Sequence, residues 1–467
     1  MSGHDYTALA PEGVLVAGSV LVLLLGSFLP RRRLPLTRWV ASAVLLGSVA
    51  TALAAGTGSI FEHSYALDPA TAVARVVAPL ASLGVIWLGA GELARTTREA
   101  ETYTLVLLGT AGAVVLAGAT DLAVLAAGYL LASIPVYALV GLGRAGAAAE
   151  AALKTYLLGA MLGVTMLLGT VVLYGVGGAT GYRDLHAGLV TAPPAGVAVG
   201  LVALLAGLAF KAAAIPGHFW LPDAAQGGSV TAAAFVTTVP KIGGVLAVLR
   251  IVDLMGGVAV AATWAVAIMA AASMIVGNLA ALGQDDTRRL LGWSAVAQVG
   301  FLLMAPAALS DPEALPAVGL YLAGYAVTNV AAFAVAAAHP GRRVMADWAG
   351  LARSHPASAT ALVIAMLGLV GTPPTAIFAG KVTVFSAAWG AGWPWLVVLA
   401  AILTVVSLAY YLRWIRAAFI APPDDQVPDG GAVRSASTVA VAAGVVALGL
   451  GLVAGPVLSA FSGHLTS

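Results

Sequence analysis

Lys154, Lys211, Lys241 and Lys381 are the only lysines among the 467 residues, and each lies inside a long apolar stretch. They appear in EAALKTYLLGA (150–160), FKAAAIPGHFWLP (210–222), VTTVPKIGG (236–244) and GTPPTAIFAGKVTVF (371–385). A lysine at the centre of a membrane span costs about 2.5–3.5 kcal/mol on insertion scales, unless it meets water or a partner. Amines that can take up and release a proton at that depth are the chemistry of an ion path. Lys211 and Lys381 each stand close to a proline, Pro216 and Pro374, that breaks an apolar run.

The elements that must hold these lysines follow from composition. The chain is 61% hydrophobic and 9% charged, with 55 glycines and no cysteine. Its apolar runs of about 20 residues are each long enough to cross a hydrocarbon core about 30 Å thick. The fold class expected is an all-α polytopic membrane protein. A net charge of +2 gives no ground for nucleic-acid binding. The lack of cysteine excludes disulfides, cysteine-ligated iron–sulfur clusters and thiol catalysis. The first span follows an acidic and uncharged segment and precedes Arg31, Arg32 and Arg33, the reverse of a cleavable signal peptide.

Runs bounded by glycine, proline and charge give about fourteen spans, starting near residues 13, 36, 72, 102, 119, 150, 195, 228, 259, 290, 317, 358, 394 and 436. Most arginines then fall in or beside loops of one parity, among them Arg95, Arg98, Arg144, Arg288, Arg289, Arg342, Arg343, Arg413 and Arg416. Arg183 and Arg250 fall on the other side, with Arg75 at the start of the third span. By the positive-inside rule the arginine-rich side is cytoplasmic, so both termini are expected to be extracytoplasmic. Residues 195–222 and 358–390 are too long and too interrupted for simple spans, and internal prolines predict a broken helix in each. Paired interruptions predict an inverted repeat. The expected organisation is residues 1–100 as three spans, 101–257 as a first repeat (spans four to eight), 258–420 as a second (spans nine to thirteen), and 421–467 as a loop and last span.

The stretches EAALKTYLLGA, FKAAAIPGHFWLPDAAQGGSVTAAAFVTTVPK (210–241), DDTRRLLGWSAVAQVGFLL (285–303), GLYLAGYAVTNVAAF (319–333), GTPPTAIFAGK and SLAYYLRWIRAAF (407–419) carry a family resemblance. In this order they resemble the antiporter-like membrane subunits of proton-pumping NADH–quinone oxidoreductase, respiratory complex I, and among these subunit N. The resemblance spans about residues 100–420. It implies a membrane-arm subunit of a bacterial plasma membrane, beside other antiporter-like and small membrane subunits. The cofactors it implies (NADH, FMN, iron–sulfur clusters, quinone) belong to partner subunits, with none on this chain.

The resemblance also implies roles. Lys211 matches the lysine of the first broken helix, Lys241 the relay lysine of the next helix, and Lys381 the lysine of the second broken helix. His218 and Asp223 match the segment after the first break. Gln298 stands where the relay often has histidine, and glutamine holds a water without acting as acid or base. Aligning Ser133 and Tyr137 places Leu130 where the family has a glutamate paired with the first lysine. That departure opens a reading in which the chain is a non-pumping scaffold, beside readings as a proton-conducting subunit or as part of a cation/proton antiporter or hydrogenase arm.

Several of these residues read equally well without a proton path. Lys154 sits four residues after Glu150, the spacing of a helical ion pair. Lys211, Lys241 and Lys381 could each satisfy carbonyls freed by a helix break. His218 reads as either an interior histidine or a proton carrier. The remaining histidines have no ligand spacing, and Tyr410, Tyr411 and Trp414 read as an interfacial belt.

Overall fold

The computed structural model describes residues 3–143, 146–421 and 431–466. Arg144, counted above in the charge asymmetry, lies outside them. Fourteen helical units cross the apolar layer in the described residues: α1 (Ala10–Phe28), α2 (Pro35–Ala54), α3 (Pro69–Leu88), α4 (Glu99–Gly118), α5 (Leu122–Gly141), α6 (Gly146–Gly177), α7a (Pro194–Ala212) with α7b (Trp220–Gly227), α8 (Val230–Leu254), α9 (Val260–Leu282), α10 (Thr287–Ala307), α11 (Ala314–Ala338), α12a (Pro356–Val370) with α12b (Ala376–Gly390), α13 (Pro394–Phe419) and α14 (Arg434–Leu452). Thirteen of the helices are individually long and apolar enough to span, and α12a and α12b together make the fourteenth unit. A short hairpin of β1 (Gly58–Ile60) and β2 (Tyr65–Leu67) joins α2 to α3.

Local chemistry sets the helix starts. The carboxylate of Asp68 accepts from the Thr71 amide at 3.1 Å, Asp121 from Ala123 at 2.7 Å, and Asp286 from Arg288 and Arg289 at 3.0 Å each. Ser229 caps α8 through the Ala232 amide at 3.0 Å. Each cap satisfies amide donors that have no partner in the first helical turn. Pro35, Pro69, Pro194, Pro356 and Pro394 occupy opening positions, where a missing N–H costs nothing.

Helices α8, α10 and α11 are buried almost throughout and form the centre, while α1, α2, α6, α13 and α14 present broad apolar faces outward. Gly243 and Gly244 let α8 lie close to α4 and α7a: a β-carbon at Gly243 would stand 2.4 Å from the Ala113 oxygen, and one at Gly244 2.8 Å from the Ala212 nitrogen. The five helices α4–α8 and the five α9–α13 each carry their interruption in the fourth member. Five being odd, the two sets enter the layer from opposite faces.

Two buried ion pairs tie the ends of the chain together on one face. Arg75 donates to both Glu12 oxygens at 2.8 Å and to the Ala8 carbonyl at 2.9 Å. Arg250 donates to both Asp68 oxygens at 2.7 and 2.9 Å, and the same carboxylate receives the Thr466 amide at 3.1 Å. Ala8 and Thr466 therefore lie on one side of the layer. The first spanning helix, α1, begins at Ala10, so Glu12 belongs to its first turn and not to a preceding loop. Arg250 likewise sits in the last turns of α8 rather than beyond it, where the Asp68 carboxylate stabilises it.

Candidate proton path

Three lysines expected from the sequence are buried: Lys211 at 2% exposure, Lys241 at 0% and Lys381 at 4%. Lys211 is the penultimate residue of α7a. Its ammonium donates to the Ser133 hydroxyl of α5 at 2.6 Å and lies 5.0 Å from the centre of the Tyr129 ring. Lys241 in α8 donates to the Val236 carbonyl at 3.1 Å and faces the Trp220 ring at 6.0 Å. Lys381 in α12b donates to the Val370 carbonyl at 2.9 Å and to Thr404 Oγ1 at 3.1 Å, 3.9 Å above the Phe301 ring. Among the described residues no carboxylate forms an ion pair with any of them.

Two kinds of interruption explain where two of these amines and one amide sit. A helical carbonyl normally receives the N–H four residues later, and proline has none. Pro240, inside α8, thus frees the Val236 carbonyl, which Lys241 takes. Helix α12a ends at Val370, and the carbonyls of its last turn have no helical donor. Lys381 takes that of Val370, and Gln298 Nε2 donates to that of Leu369 at 2.7 Å. At the end of α12a, Gly371 takes the left-handed conformation at φ +85°, and Lys381 Cδ passes 3.1 Å from where its β-carbon would be. The break in α7 is closed differently. Ala213 is left-handed, Trp220 Nε1 donates to the Phe210 carbonyl at 3.2 Å, and the Ile215 amide donates to Ser273 Oγ at 2.9 Å.

Between Lys241 and Lys381 runs a series of neutral polar side chains, of which sequence reading singled out Gln298 and missed those on α11. Tyr321, Tyr325 and Asn329 project from one face of α11 at helical spacing. The Tyr325 hydroxyl donates to the Thr237 carbonyl at 2.5 Å, and Asn329 Nδ2 to the hydroxyls of Thr237 and Thr238 at 2.9 and 2.8 Å. Tyr321 donates to Gln298 Oε1 at 2.7 Å. Gln298 also reaches the Tyr411 oxygen at 3.5 Å, and Tyr411 shares a 2.5 Å contact with Ser294. Tyr410, Tyr411 and Trp414 are therefore not an interfacial belt: all three are buried on the inner face of α13, and the Tyr410 hydroxyl donates to Asn278 at 3.0 Å. Two tyrosine hydroxyls and an asparagine amide, buried four residues apart on α11, were the available signal, masked by their apolar neighbours.

Leu130 is also corrected. It is 45% exposed on the outer surface of α5, away from Lys211, so it is not the residue facing that lysine. Successive helical residues differ by about 100° around the axis, so Leu130 cannot share the Lys211 face with Ser133 and Tyr129, which are four apart. Tyr129 is the residue that turns inward.

Lys154 stands apart from the buried series. Its side chain is 45% exposed and bridges Glu150 at 2.7 Å and Asp223 at 3.0 Å, and Arg289 completes the cluster on Asp223 at 2.5 Å. His218 lies in the break before α7b, buried between Phe219 and Trp293 with ring-centre distances of 4.0 and 5.7 Å. Neither ring nitrogen meets a hydrogen-bonding partner among the described residues. His186 is a helical residue bonded to the Leu254 carbonyl, and His339 is a buried cap of α11. No group of three or more metal-binding side chains occurs among the described residues.

Residues 119–407 match the family model described as NADH:quinone oxidoreductase/Mrp antiporter, TM. Over 457 residues the chain is 49% identical to NADH-quinone oxidoreductase subunit N of Mycobacterium sp. (strain JLS), covering 96% of this chain and 97% of that one. It is 47% identical to NADH-quinone oxidoreductase subunit N 1 of Streptomyces griseus over 462 residues, 98% of each. In a structure of respiratory complex I from Thermus thermophilus with bound aureothin, one chain superposes with a TM-score of 0.84 at 33% identity, covering 97% of this chain and 99% of that one.

Proposed function

This chain belongs to the subunit N family of the NADH–quinone oxidoreductases, within the NADH:quinone oxidoreductase/Mrp antiporter membrane proteins, and we propose that it conducts protons across the membrane by a relay through Lys211, Lys241 and Lys381. The energy comes from quinone reduction in partner subunits that hold NADH, FMN and the iron–sulfur clusters. The observation that carries this reading is a row of buried polar groups from α8 to α12b: Tyr325 and Asn329 bonded to Thr237, then Tyr321 and Tyr411 bonded to Gln298, lying between two lysines that each take a carbonyl without a helical donor. A row of hydroxyls and amides in an apolar interior orders water and passes protons between amines without carrying charge itself.

In this reading Lys211 receives the proton on one side and Lys381 delivers it on the other, with Lys241 between. Residues 101–257 and 258–420 form the two inverted repeats, each supplying one interrupted helix and one terminal lysine. Gln298 holds Tyr321 and Tyr411 in line and is not itself a proton carrier. His218 is buried beside the first break and free to meet a water from Lys211. The arginine-rich loops mark the cytoplasmic side of the bacterial plasma membrane, which puts Ala8 and Thr466 outside.

The test is proton yield per electron in the reconstituted complex. Lys211→Met and Lys381→Met are expected to assemble and to lower the number of protons moved for each NADH oxidised. Arginine in their place gives no recovery, since a group with a pKa above about 12 does not release its proton. Lys154→Met, which removes only an exposed ion-pair partner, is expected to keep the yield. An unchanged yield in both buried-lysine variants would leave a scaffold role.

A further inference from the structure

Each of the three buried lysines lies against the face of an aromatic ring. Lys211 Nζ stands 5.0 Å from the centre of Tyr129 and 5.8 Å from that of Phe210, Lys241 Nζ 6.0 Å from Trp220, and Lys381 Nζ 3.9 Å from Phe301. The face of a ring carries the negative part of its quadrupole, so it attracts a cation far more than a neutral amine. The contact at Lys381 is the closest of these. An ammonium has three N–H donors, and the Val370 carbonyl and Thr404 Oγ1 take two of them at 2.9 and 3.1 Å, leaving one for the ring.

No carboxylate stands in that place. The helices packed against α12b are α10, α11, α12a, α13 and α14, and none of the six contains an aspartate or glutamate within its bounds. The polar groups they turn toward Lys381 are neutral. Gln298 bonds the Leu369 carbonyl next to that of Val370, Tyr321 lies against Gly380, and Thr404 meets the amine itself. Their arginines keep to the helix ends: Arg288 and Arg289 open α10, Arg413 and Arg416 close α13, and Arg434 opens α14. An acid, Asp311, does lie against α12b, but at Gly390, nine residues or roughly 13 Å along the helix from Lys381. Asp424, Asp425 and Asp429 follow the end of α13 at Phe419, which is fifteen residues or roughly 22 Å beyond Thr404.

Phe301 is held firmly where it meets the amine. It is 1% exposed and comes three residues after Gln298, so ring and amide share a face of α10. Its ring tilts on that of Phe385 at 6.3 Å, and Phe385 stands one turn beyond Lys381 on α12b.

We propose that the Phe301 ring takes the place of a carboxylate at the second helix break, favouring the protonated form of Lys381 and fixing it between Val370 and Thr404. A desolvated contact of this kind favours ammonium over amine by about thirtyfold. A buried carboxylate would hold the ammonium harder, and losing it would leave an uncompensated charge. The weaker hold of a ring lets Lys381 load a proton and still give it up. Phe301 exchanges no proton itself and is a positioning residue. The inference deepens the relay reading and rests on it for its effect on pumping, while the contact of ring and amine can be measured without it.

The experiment replaces Phe301 by mono-, di- and trifluorophenylalanine through nonsense suppression, once with Lys381 and once with Lys381→Met, in the assembled complex. Fluorine draws charge from the ring face and nearly preserves the shape of the ring. Thermal unfolding of the complex is followed in both series, together with protons moved per NADH oxidised in reconstituted vesicles. With Lys381 present, stability and proton yield should fall stepwise with each fluorine, the trifluoro ring lowering the folded-to-unfolded ratio by about tenfold. With methionine the stability trend should vanish. Flat stability across the Lys381 series, or an equal trend in the methionine series, marks Phe301 as packing alone and overturns the proposal. Lys381→Met by itself judges the relay. Normal pumping in that variant beside an intact fluorine trend upholds the pairing of ring and amine and removes the relay; poor pumping without a trend keeps the relay and removes the pairing.

Discussion

Lys241 offers the sharpest separation of support from proton transfer, because the proline beside it sets up a two-residue test. Pro240 leaves the Val236 carbonyl without its helical donor, and Lys241 Nζ fills that place at 3.1 Å. Lys241→Met removes the bond, and an unpaired buried carbonyl costs about 1–3 kcal/mol. The same change also removes an amine that is 0% exposed and has no ion-pair partner, and a buried ion carries a penalty of several kcal/mol. The second effect is the larger, so Lys241→Met is expected to be at least as stable as the natural protein. In a Pro240→Ala background the new N–H supplies the Val236 carbonyl, and the methionine change should then gain about 1 kcal/mol more than it does alone. Thermal unfolding of the assembled complex measures both, and proton yield per electron is followed alongside. The yield should fall in Lys241→Met and stay low in the double variant. If Lys241→Met is instead destabilised and Pro240→Ala restores both assembly and proton yield, Lys241 is a plug for a broken helix, and its place in the relay is lost.

Other predictions follow from single contacts. Tyr129→Glu should couple to Lys211, so that adding Lys211→Ala costs assembly yield well beyond the sum of the single changes, whereas Leu130→Glu, on the outer face of α5, should show additive effects. Gly371→Ala forces a left-handed alanine against Lys381 Cδ and should cost about 1–2 kcal/mol from the backbone alone, with a lower proton yield as Lys381 shifts. Asp68 lies outside the spans. Burial acts to raise its pKa, but the Arg250 guanidinium outweighs burial and holds it below the ordinary carboxylate value. A depressed pKa means stability that is full above the unfolded value and is lost as pH falls through the folded one. Acid unfolding should therefore begin at higher pH in Arg250→Met, and Asp68→Asn should flatten the acid limb of a stability–pH curve. Cysteine placed at Gly56, in the loop after α2, should react with an impermeant thiol reagent from outside intact cells, and cysteine at Gly341 should not; the reverse pattern would invert the proposed orientation.

The sequence disclosed what stands out against an apolar background and hid what blends into it. Four lysines among long hydrophobic runs were conspicuous, and so were the prolines that interrupt two helices and the arginines that bias the loops to one side. Tyr321, Tyr325 and Tyr411 were not, because an aromatic residue in a span reads as packing or belt until its hydroxyl is seen to have a partner. The Asp68–Arg250 pair joins residues that no local pattern relates. Leu130 failed for a geometric reason: a register error of one residue turns a helix by about 100°, enough to move a side chain from an interior cavity to the outer surface. The breaks were legible but not the acceptors they leave, since that requires finding each carbonyl without a donor: Val236, four residues before Pro240, and Val370, where α12a ends. Those acceptors bear on how the two readings of the lysines relate, because the amines of Lys241 and Lys381 stand in for the missing donors. The structural reading, in which lysine satisfies a freed carbonyl, and the functional reading, in which lysine carries a proton, are thus not rivals. A carbonyl that only a long flexible amine can reach is also one the amine can leave, and a relay needs a side chain whose resting contact is worth little more than the water it exchanges for.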